Sequence, residues 1–90
     1  MEKTHYEIHL QGKVQGVGFR YTAKELADKL NIYGYARNMR DGTVSIELEG
    51  SKDKLEQFLS WCKTDSYKTN IKQVDFEEKE VKGYREFSVF

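Results

Sequence analysis

The hydrophobic period of this chain changes across one short glycine-rich stretch, and that change limits the folds open to it. Before the stretch, Tyr6, Ile8 and Leu10 alternate with His5, Glu7 and His9, the period-two pattern of a strand with one buried and one wet face. After it, Phe19, Ala23, Leu26, Ala27 and Leu30 follow the stripe of an amphipathic helix, with Lys24, Glu25, Asp28 and Lys29 opposite. The joint reads Gly12-Lys13-Val14-Gln15-Gly16-Val17-Gly18-Phe19-Arg20. Its glycines let the chain turn tightly and let another group approach the backbone closely. No Ser, Thr, Asp or Asn stands between Gln15 and Arg20 to cap the first helical N–H groups. An uncapped positive helix end with an arginine beside it predicts a site for a small tetrahedral anion such as phosphate.

Further on, Tyr33 to Asn38 reads as a second strand, and Asp41-Gly42 is a tight-turn signal. Val44, Ile46 and Leu48 then alternate with Thr43, Ser45, Glu47 and Glu49, so the two strands form a hairpin with residues 39–42 at its tip. Ser51 is placed to cap a second helix running to about Lys63, with Leu55, Phe58, Leu59 and Cys62 as its buried stripe and Trp61 off it, half exposed. Residues 64–70 are a polar connection. Val74 and Phe76 mark a strand over residues 71–79, residues 81–83 a turn, and Phe87 and Val89 a last short strand. The order βαββαβ plus a short additional C-terminal strand predicts an α+β fold, a ferredoxin-like α/β sandwich. Each strand has one polar face, so both helices should cover one side of an antiparallel sheet and leave the other to water.

Ninety residues fit a single domain over residues 1–90. With 15 Lys and Arg against 15 Asp and Glu, the chain has no net charge to draw it to nucleic acid or to an anionic membrane. Any anion site must therefore be local. One cysteine excludes an intramolecular disulfide, and no apolar run reaches the length of a signal-peptide core or a membrane span. These features lead to the expectation of a cytoplasmic monomer. His5 and His9 lie about 13 Å apart along a strand, too far to share a metal ion, and read as solvated strand histidines.

Two stretches occur in a particular order: Gly12-x-Val14-Gln15-Gly16-Val17-Gly18-Phe19-Arg20, then Gly34-Tyr35-Ala36-Arg37-Asn38-x-x-x-Gly42-x-Val44 followed by Gly50. Together they resemble the two signatures of the acylphosphatases. The resemblance covers the first strand through the second helix and, in length and element order, extends to the C-terminus. It implies hydrolysis of a mixed carboxylic-phosphoric anhydride to a carboxylate and inorganic phosphate, with no metal and no organic cofactor. By the same resemblance, the main-chain N–H groups of Gln15, Gly16, Val17, Gly18, Phe19 and Arg20 hold the phosphoryl oxygens, and the Arg20 side chain binds them. Asn38 then positions the attacking water. Such donors stabilise the charge of a loose phosphoryl-transfer transition state. A carboxamide is no strong base, but with a good leaving group orientation suffices, and the substrate phosphate can take the proton of the water. The implied partners are a small acyl phosphate, such as acetyl, carbamoyl or glyceroyl phosphate, and inorganic phosphate as product and competing ligand. Acylphosphatases often carry a Gly-Pro segment before the fourth strand, whereas residues 65–70 here read Asp-Ser-Tyr-Lys-Thr-Asn.

Arg37 and Arg40 lie by the proposed mouth, where they either attract anionic substrate or form surface salt pairs. A binding module is the reading from another class. RNA recognition on this fold uses aromatics of the open sheet face, and residues 43–49 supply none. A phosphate sensor without turnover is the remaining alternative, against which the presence of Asn38 counts.

Overall fold

The computed structural model describes residues 3–15, 18–64 and 70–90. The elements are β1 (Thr4–Lys13), α1 (Phe19–Leu30), β2 (Tyr33–Asn38), β3 (Val44–Gly50), α2 (Lys52–Thr64), β4 (Asn70–Lys79) and β5 (Phe87–Val89). The bounds of α1 and β2 coincide with those read from the sequence. The βαββαβ order with an added C-terminal strand is as expected. Of the polar connection read over residues 64–70, Thr64 ends α2 and Asn70 begins β4, while residues 65–69 lie outside the described residues.

The sheet order is β4-β1-β3-β2-β5. The four longer strands pair antiparallel, but β5 runs parallel to β2, with Gly34 opposite Phe87 and Ala36 opposite Val89. The sheet is therefore mixed rather than wholly antiparallel. The last strand docks on the edge that β2 would otherwise leave open, which removes an unpaired row of backbone groups.

One face of the sheet holds the core. Tyr6, Ile8 and Leu10 of β1 and Val44, Ile46 and Leu48 of β3 are buried there with Phe19, Ala23 and Ala27 of α1 and Leu55, Phe58, Leu59 and Cys62 of α2. Leu26 and Leu30 are only partly buried against this cluster. Trp61 is half-buried and packs its ring on Phe19 at 5.3 Å and Phe58 at 5.5 Å, joining the helices. Burial alone pushes the Cys62 thiol up to about 12, so it is protonated and unreactive at neutral pH.

The opposite face is not left to water, and His5 is not solvated: its exposure is 0 %. The reason lies in the sheet order. β4 and β5 occupy opposite edges, so the segment joining them must cross the face that the helices do not cover. It crosses over β1 and β3 and buries their outward residues, His5, Glu47 and Glu49. His9, farther along β1, remains exposed beside Glu7.

Beneath this strap the polar groups find partners, as buried groups must. His5 Nδ1 lies 2.7 Å from Glu49 Oε2 and its Nε2 lies 2.9 Å from Glu47 Oε1. Glu49 accepts from the main-chain N–H groups of Lys82, Gly83 at 2.8 Å and Tyr84 at 2.9 Å. Glu47 accepts from the Tyr35 hydroxyl and from Lys82 Nζ at 3.1 Å. Burial pushes both carboxyls up, but these donors outweigh it and hold them below the usual carboxylate range. Burial and the Glu47 hydrogen bond raise the Tyr35 phenol to about 12.

Candidate active site

β1 and β2 are parallel to each other with β3 between them, so both end at the same rim of the sheet. The glycine-rich loop leaves the end of β1 and Asn38 closes β2. Leu10, Val44 and Asn38 form one row across the three strands, and paired residues project to the same face. Leu10 and Val44 are core residues, so Asn38 points to the helical side at the edge of the core. Its Oδ1 is buried and has no hydrogen-bond partner among the described residues. A buried acceptor left unpaired costs about 1–3 kcal/mol, and such an atom in a native fold calls for a ligand or water to complete it.

The loop reaches α1 through Gly18, the N-cap residue, in the left-handed conformation at φ 73°. No side chain caps the helix and no acidic residue stands in its first turn. Both features suit an anion at this end. Phe19 is buried and stacked on Trp61, so its side chain belongs to the core and only its backbone can serve a ligand. Gly16 and Val17 lie outside the described residues.

Arg20 is half-buried and donates from Nη1 to the main-chain oxygen of Phe90. That contact, between the first turn of α1 and the end of the strand beside β2, holds the guanidinium near the rim. The rest of its fork has no carboxylate partner among the described residues, where no arginine is in an ion pair.

Arg37, Asn38, Met39, Arg40 and Asp41 line a cleft of about 510 Å³. Asp41 turns its carboxylate to Thr43, accepting from the hydroxyl at 2.6 Å and from the main-chain N–H at 3.0 Å, and the Thr43 hydroxyl bond chiefly holds its pKa down. It is thus not spent on Arg40. Arg37 stacks over the rings of Tyr35 at 5.2 Å and Phe90 at 5.1 Å. Of the two readings open for these arginines, surface salt pairs are not formed among the described residues.

The Gln15 side chain does not reach for a ligand. Its Nε2 donates to the carbonyls of Met39 and Thr43, each at 2.8 Å. No periodicity or motif spacing could have disclosed that link. Nor does the sequence pattern show why β2 needs Gly34: at φ 149°, a Cβ there would lie 1.8 Å from the Glu47 carbonyl oxygen of β3.

The third strand offers Ser45, Glu47 and Glu49 on its outward side, all buried and the two glutamates beneath the strap, not an aromatic platform for bases. Among the described residues no cluster of His, Cys, Asp and Glu is arranged to hold a metal ion, and no helix is long and apolar enough to cross a membrane.

The acylphosphatase family model matches residues 6–89. An acylphosphatase of Ligilactobacillus salivarius is 45% identical over 86 residues, covering 94% of this chain and 96% of that one. The crystal structure of acylphosphatase from Bacillus subtilis superposes with a TM-score of 0.91 at 34% identity, covering 97% of this chain and 98% of the other. The same fold recurs within a longer protein, full-length HypF in a phosphate- and nucleotide-bound form, with a TM-score of 0.91 at 33% identity over 99% of this chain and 12% of that one. With the family model matching along nearly its whole length, the chain belongs to the acylphosphatase family, whose members hydrolyse acyl phosphates.

Proposed function

We propose that residues 1–90 act as one domain that hydrolyses the carboxyl–phosphate bond of small acyl phosphates without a metal, with Arg20 and Asn38 as catalytic residues. The observation that carries this reading is the buried Oδ1 of Asn38, without a partner among the described residues, at the rim where the uncapped start of α1 lies. The phosphoryl group sits on the main-chain N–H groups of Gln15, Gly16, Val17, Gly18, Phe19 and Arg20, and takes the cap position that no side chain fills. The Arg20 fork adds charge-assisted bonds to its oxygens. A water that donates to Asn38 Oδ1 is oriented toward phosphorus. As its oxygen bonds to phosphorus, the phosphorus–oxygen bond to the acyl group breaks, the carboxylate leaves with the electron pair, and a phosphoryl oxygen takes the proton of the water. A carboxylate is a stable leaving group and needs no general acid.

The product phosphate occupies the same donors and so competes with substrate. The monomeric state and a cytoplasmic location belong to the same proposal, in keeping with a protonated, buried Cys62 thiol. The test is release of benzoate and phosphate from benzoyl phosphate by the purified chain in the presence of a chelator. Turnover unchanged by the chelator is expected; phosphate binding without turnover would instead establish the sensor reading. Arg20→Ala should raise the inhibition constant of inorganic phosphate about 10- to 100-fold, the worth of a hydrogen bond to a charged group. An unchanged constant would remove Arg20 from the phosphate site.

A further inference from the structure

The two halves of the proposed site hang from strands that are not neighbours. β3 separates β1 from β2, which places them about 9–10 Å apart, two strand spacings. The sheet registers stop at Leu10 opposite Val44 and Asn38 opposite Val44, so the β2–β3 turn projects beyond the last antiparallel pair. Among the described residues, the hydrogen bonds that join residues 15–20 to this turn come from one side chain, Gln15.

Its two acceptors are the carbonyls that close the turn. Thr43 O accepts from Met39 N at 2.8 Å and Met39 O accepts from Gly42 N at 3.2 Å. Gln15 Nε2 adds a third and fourth bond across the same ring, at 2.8 Å each. Carbonyls only accept, so chemistry settles which end of the carboxamide faces them, and both of its N–H protons are used. The residue immediately before this ring is Asn38.

We propose that Gln15 is a positioning residue: its carboxamide clamps the β2–β3 turn to the phosphate loop and so sets where Asn38 presents Oδ1 to the water. The proposal rests on the reading in which Asn38 orients that water. It also separates two roles of Gln15. Its main-chain N–H can serve the phosphoryl group, while its side chain cannot do so without releasing a carbonyl of the turn. A displacement of a reacting group by about 1 Å is enough to cost on the order of 10²-fold in rate, so a loosened turn acts on turnover and not on phosphate affinity.

The test replaces Gln15→Met, which keeps length and bulk and removes both donors. The expected result is a fall in kcat for benzoyl phosphate of about 10- to 30-fold, with the inhibition constant of inorganic phosphate within about threefold of the parent. Amide hydrogen exchange of Met39 and Gly42 should quicken, while that of Ile8 and Ile46 in the core stays as it was. Gln15→Glu keeps the shape but faces two carbonyls with an acceptor, so its loss should exceed that of Gln15→Met near neutral pH. It should shrink as the pH is lowered and the carboxyl regains one donor. A raised phosphate inhibition constant with unchanged kcat would overturn the proposal in favour of a side-chain phosphate ligand. Unchanged kcat with faster exchange would reduce Gln15 to a structural tie. Unchanged exchange at Met39 would remove the clamp altogether. Absence of turnover in the parent chain would instead overturn the hydrolase reading, and exchange, which needs no turnover, would still decide the clamp.

Discussion

Asn38→Ala is expected to fold, to bind inorganic phosphate within about threefold of the parent, and to lose about 10²- to 10³-fold in kcat for benzoyl phosphate, on the order of 3–4 kcal/mol of barrier. The size follows from what the side chain is asked to do. In the proposed site it does not touch the ground-state phosphoryl group, which the loop and Arg20 would hold, so its removal should leave affinity alone. Its proposed task is to fix the attacking water, which without it must find its line of attack unaided. Stability should move the other way from an ordinary truncation. Oδ1 is buried and unpartnered among the described residues, so deleting it relieves a desolvation cost instead of breaking a bond. A thermal midpoint equal to or slightly above that of the parent, together with the loss of turnover, would mark the residue as retained for chemistry at the expense of the fold. Asn38→Asp keeps the shape but sets a negative charge toward an anionic substrate, and it should not restore the rate. If Asn38→Ala turns over at the parent rate, the water is held by something else.

Most of the fold was legible because the elements are set by local rules. The apolar stripe from Phe19 to Leu30 and the left-handed Asn31 behind it bound a helix whatever surrounds it. The Asp41-Gly42 turn between two alternating runs sets a hairpin. What was not legible depends on where distant pieces dock. His5, Glu47 and Glu49 look like the wet side of two strands, and in isolation they would be. They are buried because β5 joins β2 at the far edge from β4, and nothing in the alternation of residues 70–90 says which edge a short strand will choose. Likewise, Arg20 stood out beside an uncapped helix start, but Asn38 was identified by family signature and not by pattern. The row Leu10–Val44–Asn38, which turns Asn38 inward, exists only after two strand registers have been set. The Gln15 clamp is a contact between residues 24 and 28 positions apart, beyond the reach of any periodic signal.

Glu49→Gln should lower the unfolding free energy by about 3 kcal/mol, the loss met when one partner of a buried charged network is removed. For a domain of this size that is a fall in thermal midpoint of roughly 12–24 °C. Glu49 is 1 % exposed and receives three successive main-chain N–H groups of the strap, Lys82, Gly83 and Tyr84, with His5 at its flank. A carboxamide turns one oxygen into a donor, so at least one of those N–H groups must face another N–H. The same carboxylate makes stability depend on acid. Burial raises its pKa, but the four donors more than reverse this, and its folded value lies below the usual one; Glu47 behaves likewise. Between the folded and unfolded values the unfolded chain binds more protons. The contribution is therefore fully present above the ordinary glutamate pKa, about 4.3, and is lost as the pH falls through the depressed folded values. Urea unfolding from pH 7 down to pH 3 should show the parent losing stability across that acid range and Glu49→Gln losing less, because one of the two linked protons is gone. Parallel acid limbs in the two proteins would mean that Glu49 is not the group that ties the strap to the sheet. A weaker strap should also loosen β5 and Phe90, whose main-chain oxygen holds the Arg20 guanidinium at the rim. The buried network on one face of the sheet would thus support the proposed anion site on the side of the helices.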